Sequence, residues 1–271
     1  MANKWALVLG ASSGFGGAAS VALAKAGYNI LGVHLDRQAT MQGVDKVKSQ
    51  IESTGNIAFF FNANAADASK RNEIIEKFIN NYHADKINVI VHSLAFGTLK
   101  PFIAKNPDDC ISAAQMSMTL DVMAHSLIYW TQALVQKDIL AEGGRIFGLT
   151  SAGGQTVIPY YGAVSAAKAT LESHLRYLAV ELGVMKITAN AIMAGVTDTP
   201  ALRKIPGNEH MIEAAQMKNP QARLTTPEEV ADAIVLLCDE KASWISGNVM
   251  GVDGGEYIVN HINEKICRPI K

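Results

Sequence analysis

The sequence predicts one doubly wound α/β domain over residues 1–271, a parallel sheet of about seven strands with helices on both faces. Three observations predict it. Short, uniformly apolar runs alternate with long amphipathic stretches. A glycine-rich loop follows the first apolar run. No linker, low-complexity segment, charge block or internal repeat divides the chain. Runs that are apolar throughout mark strands buried on both faces, and repeated strand–helix alternation closes as a parallel sheet with right-handed crossovers.

The elements follow in order. Trp5–Leu9 (WALVL) is the first strand, and the Ala-rich Gly17–Ala26 is the first helix. Asn29–His34 (NILGVH) precedes helix Val44–Ser53, and Ala58–Phe61 (AFFF) precedes helix Ser69–Tyr82. Asn88–His92 (NVIVH) leads to the long helix Ile111–Val135, and Arg145–Leu149 (RIFGL) to Tyr161–Leu182. Thr188–Ile192 (TANAI), helix Pro227–Cys238 and Asn248–Val252 (NVMGV) complete the set. Residues 196–226, with Pro200, Pro206, Gly207 and Pro220, form one long irregular insertion. An insertion of that length in a compact domain is expected to be a substrate-binding flap.

Composition narrows the function. A hydrophobic fraction of 49% with 18% charged residues excludes disorder. Twenty-four Lys plus Arg against twenty-five Asp plus Glu give no field for a polyanion, so no nucleic-acid partner is expected. No apolar run reaches the roughly 18–20 residues of a membrane helix, and the MANKWALVLG start does not read as a secretory signal. Cys110, Cys238 and Cys267 are scattered, without metal spacing, and read as buried free thiols of a cytoplasmic protein. No metal site is expected.

The loop Gly10-Ala11-Ser12-Ser13-Gly14-Phe15-Gly16 joins first strand to first helix with the spacing G-x-x-x-G-x-G. Glycines here permit a tight turn and close approach of backbone N–H groups to a pyrophosphate at a helix N-terminus. Strand before and helix after are the context that makes the motif a dinucleotide site. This spacing resembles the short-chain dehydrogenase/reductase superfamily, which implies a Rossmann-type fold. Asn64-Ala65, His92-Ser93-Leu94-Ala95, Asn190 and Gly251-Val252-Asp253-Gly254-Gly255 stand where that superfamily has landmarks.

The superfamily's usual catalytic set is a Ser, a Tyr thirteen residues on and a Lys four beyond. Ser151 and Lys168 fit the ends, but position 164 is Val. The available phenols are Tyr160 and Tyr161. At about 100° per residue, Tyr161 falls about 20° from Lys168 around a helix axis and Tyr160 about 80° away, so Tyr161 shares the lysine's face. Tyr-x6-Lys resembles the enoyl-acyl-carrier-protein reductases. Val91-His92-Ser93, Asp121, Ala194-Gly195 and the run Thr197-Asp198-Thr199-Pro200-Ala201-Leu202 agree, the last resembling the type III branch. His92 reads first as a structural histidine, and Asp121 as either an anchor or a catalytic neighbour. Met116, Met118 and Met123 read as core packing, while Met193, Met211 and Met217 are alternatives for lining an acyl pocket.

The resemblance implies reduction of a trans-2-enoyl thioester in fatty-acid synthesis, with acyl carrier protein or CoA bearing the substrate. Tyr161, Lys168 and Ser151 are the implied catalytic residues. Gly10, Ser12, Ser13, Gly14, Phe15, Gly16, His34, Leu35, Asp36, Arg37, Asn64, Ala65, Ser93, Leu94, Ala95, Lys168, Gly195, Val196, Thr197 and Thr199 are the implied cofactor contacts. His34 replaces the acid that usually selects NADH, and Arg37 with Ser12 and Ser13 suits a 2′-phosphate. NADPH is therefore expected, with NADH open because of Asp36. The resemblance also implies a homotetramer built through helices 111–135 and 161–182. Alternatives are a ketone/alcohol oxidoreductase acting on a 3-oxoacyl or hydroxysteroid substrate, and a nucleotide-sensing module without turnover.

Overall fold

The computed structural model describes residues 3–260, so Cys267 lies outside the described residues. The chain begins with β1 (Lys4–Leu9), α1 (Gly14–Lys25), β2 (Asn29–His34), α2 (Met41–Glu52) and β3 (Ala58–Asn62). It continues through α3 (Ala68–Tyr82), β4 (Lys86–His92), α4 (Ala113–Leu120), α5 (Ser126–Gln136), β5 (Leu140–Ser151) and α6 (Gly162–Glu181). The last elements are β6 (Thr188–Ala194), α7 (Asn208–Lys218), α8 (Pro227–Leu237) and β7 (Val249–Val252). All seven strands pair in parallel in the order β3-β2-β1-β4-β5-β6-β7.

Trp5 through Leu9 are wholly buried, as uniform apolarity requires of a central strand. One apolar layer joins the sheet to α3, α5 and α6 through Ile74, Phe78, Leu127, Trp130, Leu171 and Leu175. The other joins it to α1, α2 and α8 through Ala19, Leu23, Ile51, Val230 and Ile234. Each fully buried Leu or Ile in these layers contributes about 1.5–3 kcal/mol of transfer free energy. Buried Trp130 is paired, its Nε1 donating to the Ala65 carbonyl at 2.8 Å. Arg145 donates to the carbonyls of Gly143, Gly144, Leu237 and Asp239, pinning β5 to the end of α8.

Three elements differ from the sequence reading. The expected helix 111–135 starts at Ala113, where Ser112 and Gln115 form a capping box, and is interrupted by a π-helical turn at Asp121–His125. Just after the turn, Ser126 Oγ donates to the Val122 carbonyl at 2.9 Å while accepting from His92 Nε2 at 2.8 Å, tying the turn to β4. The helix expected from Tyr161 starts at Gly162, with Tyr161 as its N-cap. The insertion 196–226 is not irregular throughout. It contains α7, entered through Gly207 at φ +77° and followed by Asn219, whose amide donates to the Asp253 carbonyl at 2.9 Å. Leu202, Ile205 and Ala215 are buried, so this segment has packing of its own.

Candidate active site

Chain order reverses between β1 and β4, the switch point at which open α/β sheets form a crevice beyond the carboxyl ends of their strands. Because all strands run the same way, Gly10, Ser93, Ser151 and Gly195 all leave the sheet at that edge. The glycine loop is set by contacts that only glycine accommodates. Gly10 has φ +94°, and a Cβ there would stand 2.5 Å from the Ser93 carbonyl oxygen. A Cβ on Gly16 would collide with the Gly10 carbonyl. Gly14, at φ +53°, faces Thr199 of the loop after β6.

The start of α1 suits an anion. Its N-cap, Ser13, makes no side-chain capping bond, and the first turn carries no acidic residue. Phe15 packs on the apolar layer beneath α1. First-turn N–H groups left without a side-chain cap, with the helix dipole behind them, favour a diphosphate.

Beyond β2, His34 is buried and its Nδ1 lies 3.0 Å from Asp36 Oδ2. A carboxylate only accepts, so the Nδ1 proton is donated to it. Burial pushes the His34 pKa down, and Asp36 only partly offsets this. Burial pushes the Asp36 carboxyl up, but the neighbouring Ser12 and Thr40 hydroxyls and the hydrogen bond from His34 outweigh it and leave it below its ordinary value. The carboxylate therefore turns inward, its side chain 15% exposed, against the same Ser12 that was expected to receive a phosphate. Asn62 clamps the turn by accepting from the Asp36 amide and donating to its carbonyl. Arg37 and Leu35 are exposed on the solvent side of this turn. Thr40 and Asn62 were missed because nothing in the sequence ties them to Asp36.

Asn64 is exposed and its side chain accepts from the Ala66 amide, while Ala65 is buried. Ser93 and Leu94 are half-buried and Ala95 is exposed at the end of β4. In the loop after β6, Thr197 Oγ1 donates to the Gly195 carbonyl and Thr199 Oγ1 accepts from the Leu202 amide. The Val196 amide donates to Glu256 Oε2 at 3.1 Å. Thr197 and Thr199 are buried, so their hydroxyls hold the loop together.

Three expected catalytic residues meet at the end of β5 and the start of α6. Ser151 ends β5, and its Oγ is buried with no partner at hydrogen-bond distance. Tyr161 follows Tyr160, which takes the left-handed conformation at φ +64°. A non-glycine residue held there stores roughly 1–2 kcal/mol, a strain typical of functional turns. Burial pushes the Tyr161 phenol up, and the nearby Ser151 hydroxyl only partly counters this, so the phenol stays protonated and can donate. Its ring lies against Gly153, where a Cβ would come within 2.7 Å of Cε1. Lys168 is buried and its Nζ donates to the Leu149 carbonyl at 2.6 Å. Burial brings its pKa down to about 8, with Glu172 acting in the opposite direction.

Position 164, the ordinary place for the phenol, holds a buried Val packed with Val122, Met123 and Ala167. Met123 is core, as expected, and Met118 is half-buried beside it. Met193 is buried, Met211 is half-buried and Met217 is largely exposed on α7. Asp121 is exposed in the π turn. His92 is wholly buried and neutral, its pKa lowered to about 3 by burial first and by Lys168 second. Its Nε2–H goes to Ser126, whose own hydroxyl proton goes to Val122, so Nδ1 is the unprotonated nitrogen and has no partner. Among the described residues no cluster of His, Cys, Asp or Glu could hold a metal, and no helix is long and apolar enough to cross a membrane.

The glycine loop, the uncapped start of α1 and the orphaned Ser151 hydroxyl at one strand edge fit a dinucleotide. Together they define a nucleotide-binding domain of the short-chain dehydrogenase/reductase class. Within that class, the chain belongs to the family described as Enoyl-(Acyl carrier protein) reductase, whose model matches residues 10–256. It is 34% identical over 180 residues to enoyl-[acyl-carrier-protein] reductase [NADH] FabI of Nostoc sp., covering 64% of this chain and 66% of that protein. The chain thus spans just under two thirds of the length of the curated enoyl reductases it matches first. It is also 27% identical over 271 residues to versicolorin reductase stcU of Emericella nidulans, covering 94% of this chain and 96% of that one. Among solved structures, the enoyl-[acyl-carrier-protein] reductase (NADH) of Aquifex aeolicus superposes with a TM-score of 0.82 at 25% identity, covering 96% and 99% of the two chains.

Proposed function

We propose that this protein reduces the 2,3 double bond of a trans-2-enoyl thioester, carried on acyl carrier protein or CoA, with a reduced nicotinamide dinucleotide. The observation that carries this reading is the place of the phenol. Tyr161 stands beside Ser151 at the N-cap of α6, three positions before the buried Val164. Three residues of helix correspond to about 4.5 Å. In enoyl reduction the charge develops on the thioester oxygen, three bonds from the carbon that accepts hydride. In ketone reduction it develops on the neighbouring atom. A phenol set back along the helix suits the more distant oxygen.

The cofactor supplies the hydride to Cβ, and a proton at Cα completes the saturated thioester. Tyr161 donates a hydrogen bond to the thioester oxygen, an interaction strongest in the transition state. Lys168 holds the ribose hydroxyls and adds positive potential, and Ser151 offers its unpaired hydroxyl to substrate or nicotinamide. Exposed apolar side chains at Phe96, Phe102, Ile103, Val157 and Tyr160 surround this end of the sheet, as an acyl chain requires. Phe102 lies directly against Gly162 at the start of α6. Gly153→Ala would drive its Cβ into the Tyr161 ring. It should lower enoyl thioester turnover by roughly 10–100-fold, the scale of an ångström-sized misplacement, while the circular dichroism spectrum stays unchanged.

We further infer that the cofactor is NADH, against the expectation of NADPH. An inward carboxylate at Asp36 suits ribose hydroxyls and repels a 2′-phosphate, and Arg37 faces solvent. The likeness to reductases described as [NADH] supports this. Asp36→Ser should raise the NADPH-to-NADH ratio of kcat/KM by at least about tenfold, since removing one like-charge contact is worth a kcal/mol or more. An unchanged ratio would place the carboxylate outside the cofactor site. Cofactor oxidation with crotonyl and acetoacetyl thioesters in parallel tests the main reading. Crotonyl turnover exceeding acetoacetyl turnover supports it. Reduction of the ketone alone favours a ketone reductase, the second reading, which the end-to-end match to versicolorin reductase keeps in play.

A further inference from the structure

Glu172 is an acid in the interior, 6% exposed, one helical turn beyond Lys168 on α6. Its Oε1 accepts from Thr150 Oγ1 at 2.6 Å, and Thr150 is itself buried on β5, between Leu149 and Ser151. The same oxygen lies beneath the loop that follows: a Cβ on Gly154 would stand 3.2 Å from it and 3.3 Å from Lys168 Cβ. Residues four apart on a helix are neighbours, about 5–6 Å between Cβ atoms. Glu172 is thus fastened to the strand that ends at Ser151, one helical turn from Lys168 on the same element. A buried acid costs free energy unless it is paired, so a position that keeps one has an electrostatic use to account for.

We propose that Glu172 is a positioning residue for Lys168, its buried carboxylate keeping the lysine an ammonium ion at the cofactor edge. The proposal rests on the role given to Lys168 in the functional reading. Burial alone drives a lysine toward the neutral amine, and the carboxylate opposes this. The other groups facing the lysine add no charge that could replace it. His92 on β4 is neutral, the Leu149 carbonyl is an uncharged acceptor, and Tyr161 at the helix start is a protonated phenol. His174, which acts on His92 from α6, has its pKa lowered by burial and by His125.

The test is a direct titration of the ligand-free protein. Lysine labelled with carbon-13 at Cε is followed by NMR in wild type, Glu172→Gln and Glu172→Asp, with Lys168→Met assigning the signal. Gln keeps an acceptor for Thr150 and removes only the charge. The Lys168 transition should move down by roughly one pH unit in Glu172→Gln, the scale for losing one nearby opposite charge, and return toward wild type in Glu172→Asp. NADH affinity, read by fluorescence titration from pH 6 to 9, should weaken at correspondingly lower pH in Glu172→Gln. An unmoved Lys168 transition in a folded Glu172→Gln protein would overturn the proposal. A transition that moves while NADH affinity does not would instead overturn the role of Lys168 in cofactor binding. The two failures are therefore separable.

Discussion

Tyr161→Phe should lower enoyl thioester turnover by about 10²–10³-fold, the cost of losing one donor to a developing oxyanion. NADH affinity should stay within about twofold. The contrast follows from where the hydroxyl sits. The ring packs against Gly153 and belongs to the small apolar cluster with Val122, Met123, Val164 and Ala167, so Phe preserves the packing. Only the hydroxyl, beside the orphaned Ser151 Oγ, is lost. The Phe variant should reduce kcat with KM little changed, as expected for an interaction made in the transition state. A variant with full turnover would make Tyr161 a core aromatic.

Lys168→Met should damage cofactor affinity as well as rate. Met keeps most of the buried stem and removes the ammonium. Affinity for NADH should fall roughly 10–100-fold, the range for a hydrogen bond from a charged group, and kcat should fall with it. In the wild type, the same loss should appear as pH rises through about 8, where the lysine gives up its proton. Stability has the opposite sign. The folded chain releases this proton near 8, while the unfolded chain keeps it until about 10.5, so between those values the fold gains stability from this group as pH rises. Falling cofactor affinity with rising thermal stability over pH 8–10 would be a distinctive signature. Cofactor affinity that is flat with pH would contradict it.

Much of this architecture could be read from the chain because the strands are apolar throughout and each carries its own boundary. Trp5–Leu9, Asn29–His34 and Thr188–Ile192 lie within the strands observed, and the glycine loop falls at the switch point. The departures come from side-chain bonds that skip along the chain. At the π turn Ser126 meets His92 across thirty-four residues, and sequence periodicity shows only a long amphipathic helix there. The prolines and glycines of segment 196–226 mark it as irregular, yet α7 fits between Gly207 and Asn219.

At the candidate site, spacing singles out Ser151, Tyr161 and Lys168, and the structure sets the first at the end of β5 and the other two at the N-cap and within α6. Spacing does not show that Tyr161 is an N-cap outside the regular helix, nor that Tyr160 is strained. The turn after β2 was less legible. Composition says which charges are present there, and only the contacts of His34 and Asn62 with Asp36 show that its carboxylate turns inward while Arg37 is exposed. Glu172 was invisible because an acid in the middle of a helix ordinarily reads as solvated surface.

The central claim is that hydride reaches Cβ of an enoyl thioester while Tyr161 holds the oxygen three bonds away. Its most direct measurement uses NADH bearing deuterium at the transferred position, with crotonyl and acetoacetyl thioesters offered together and the products resolved by NMR. The account predicts deuterium at C3 of a butyryl thioester, with that product depleted about 10²–10³-fold in Tyr161→Phe under the same conditions. Deuterium only at the carbinol carbon of a 3-hydroxybutyryl thioester, with crotonyl thioester recovered unchanged, would contradict it.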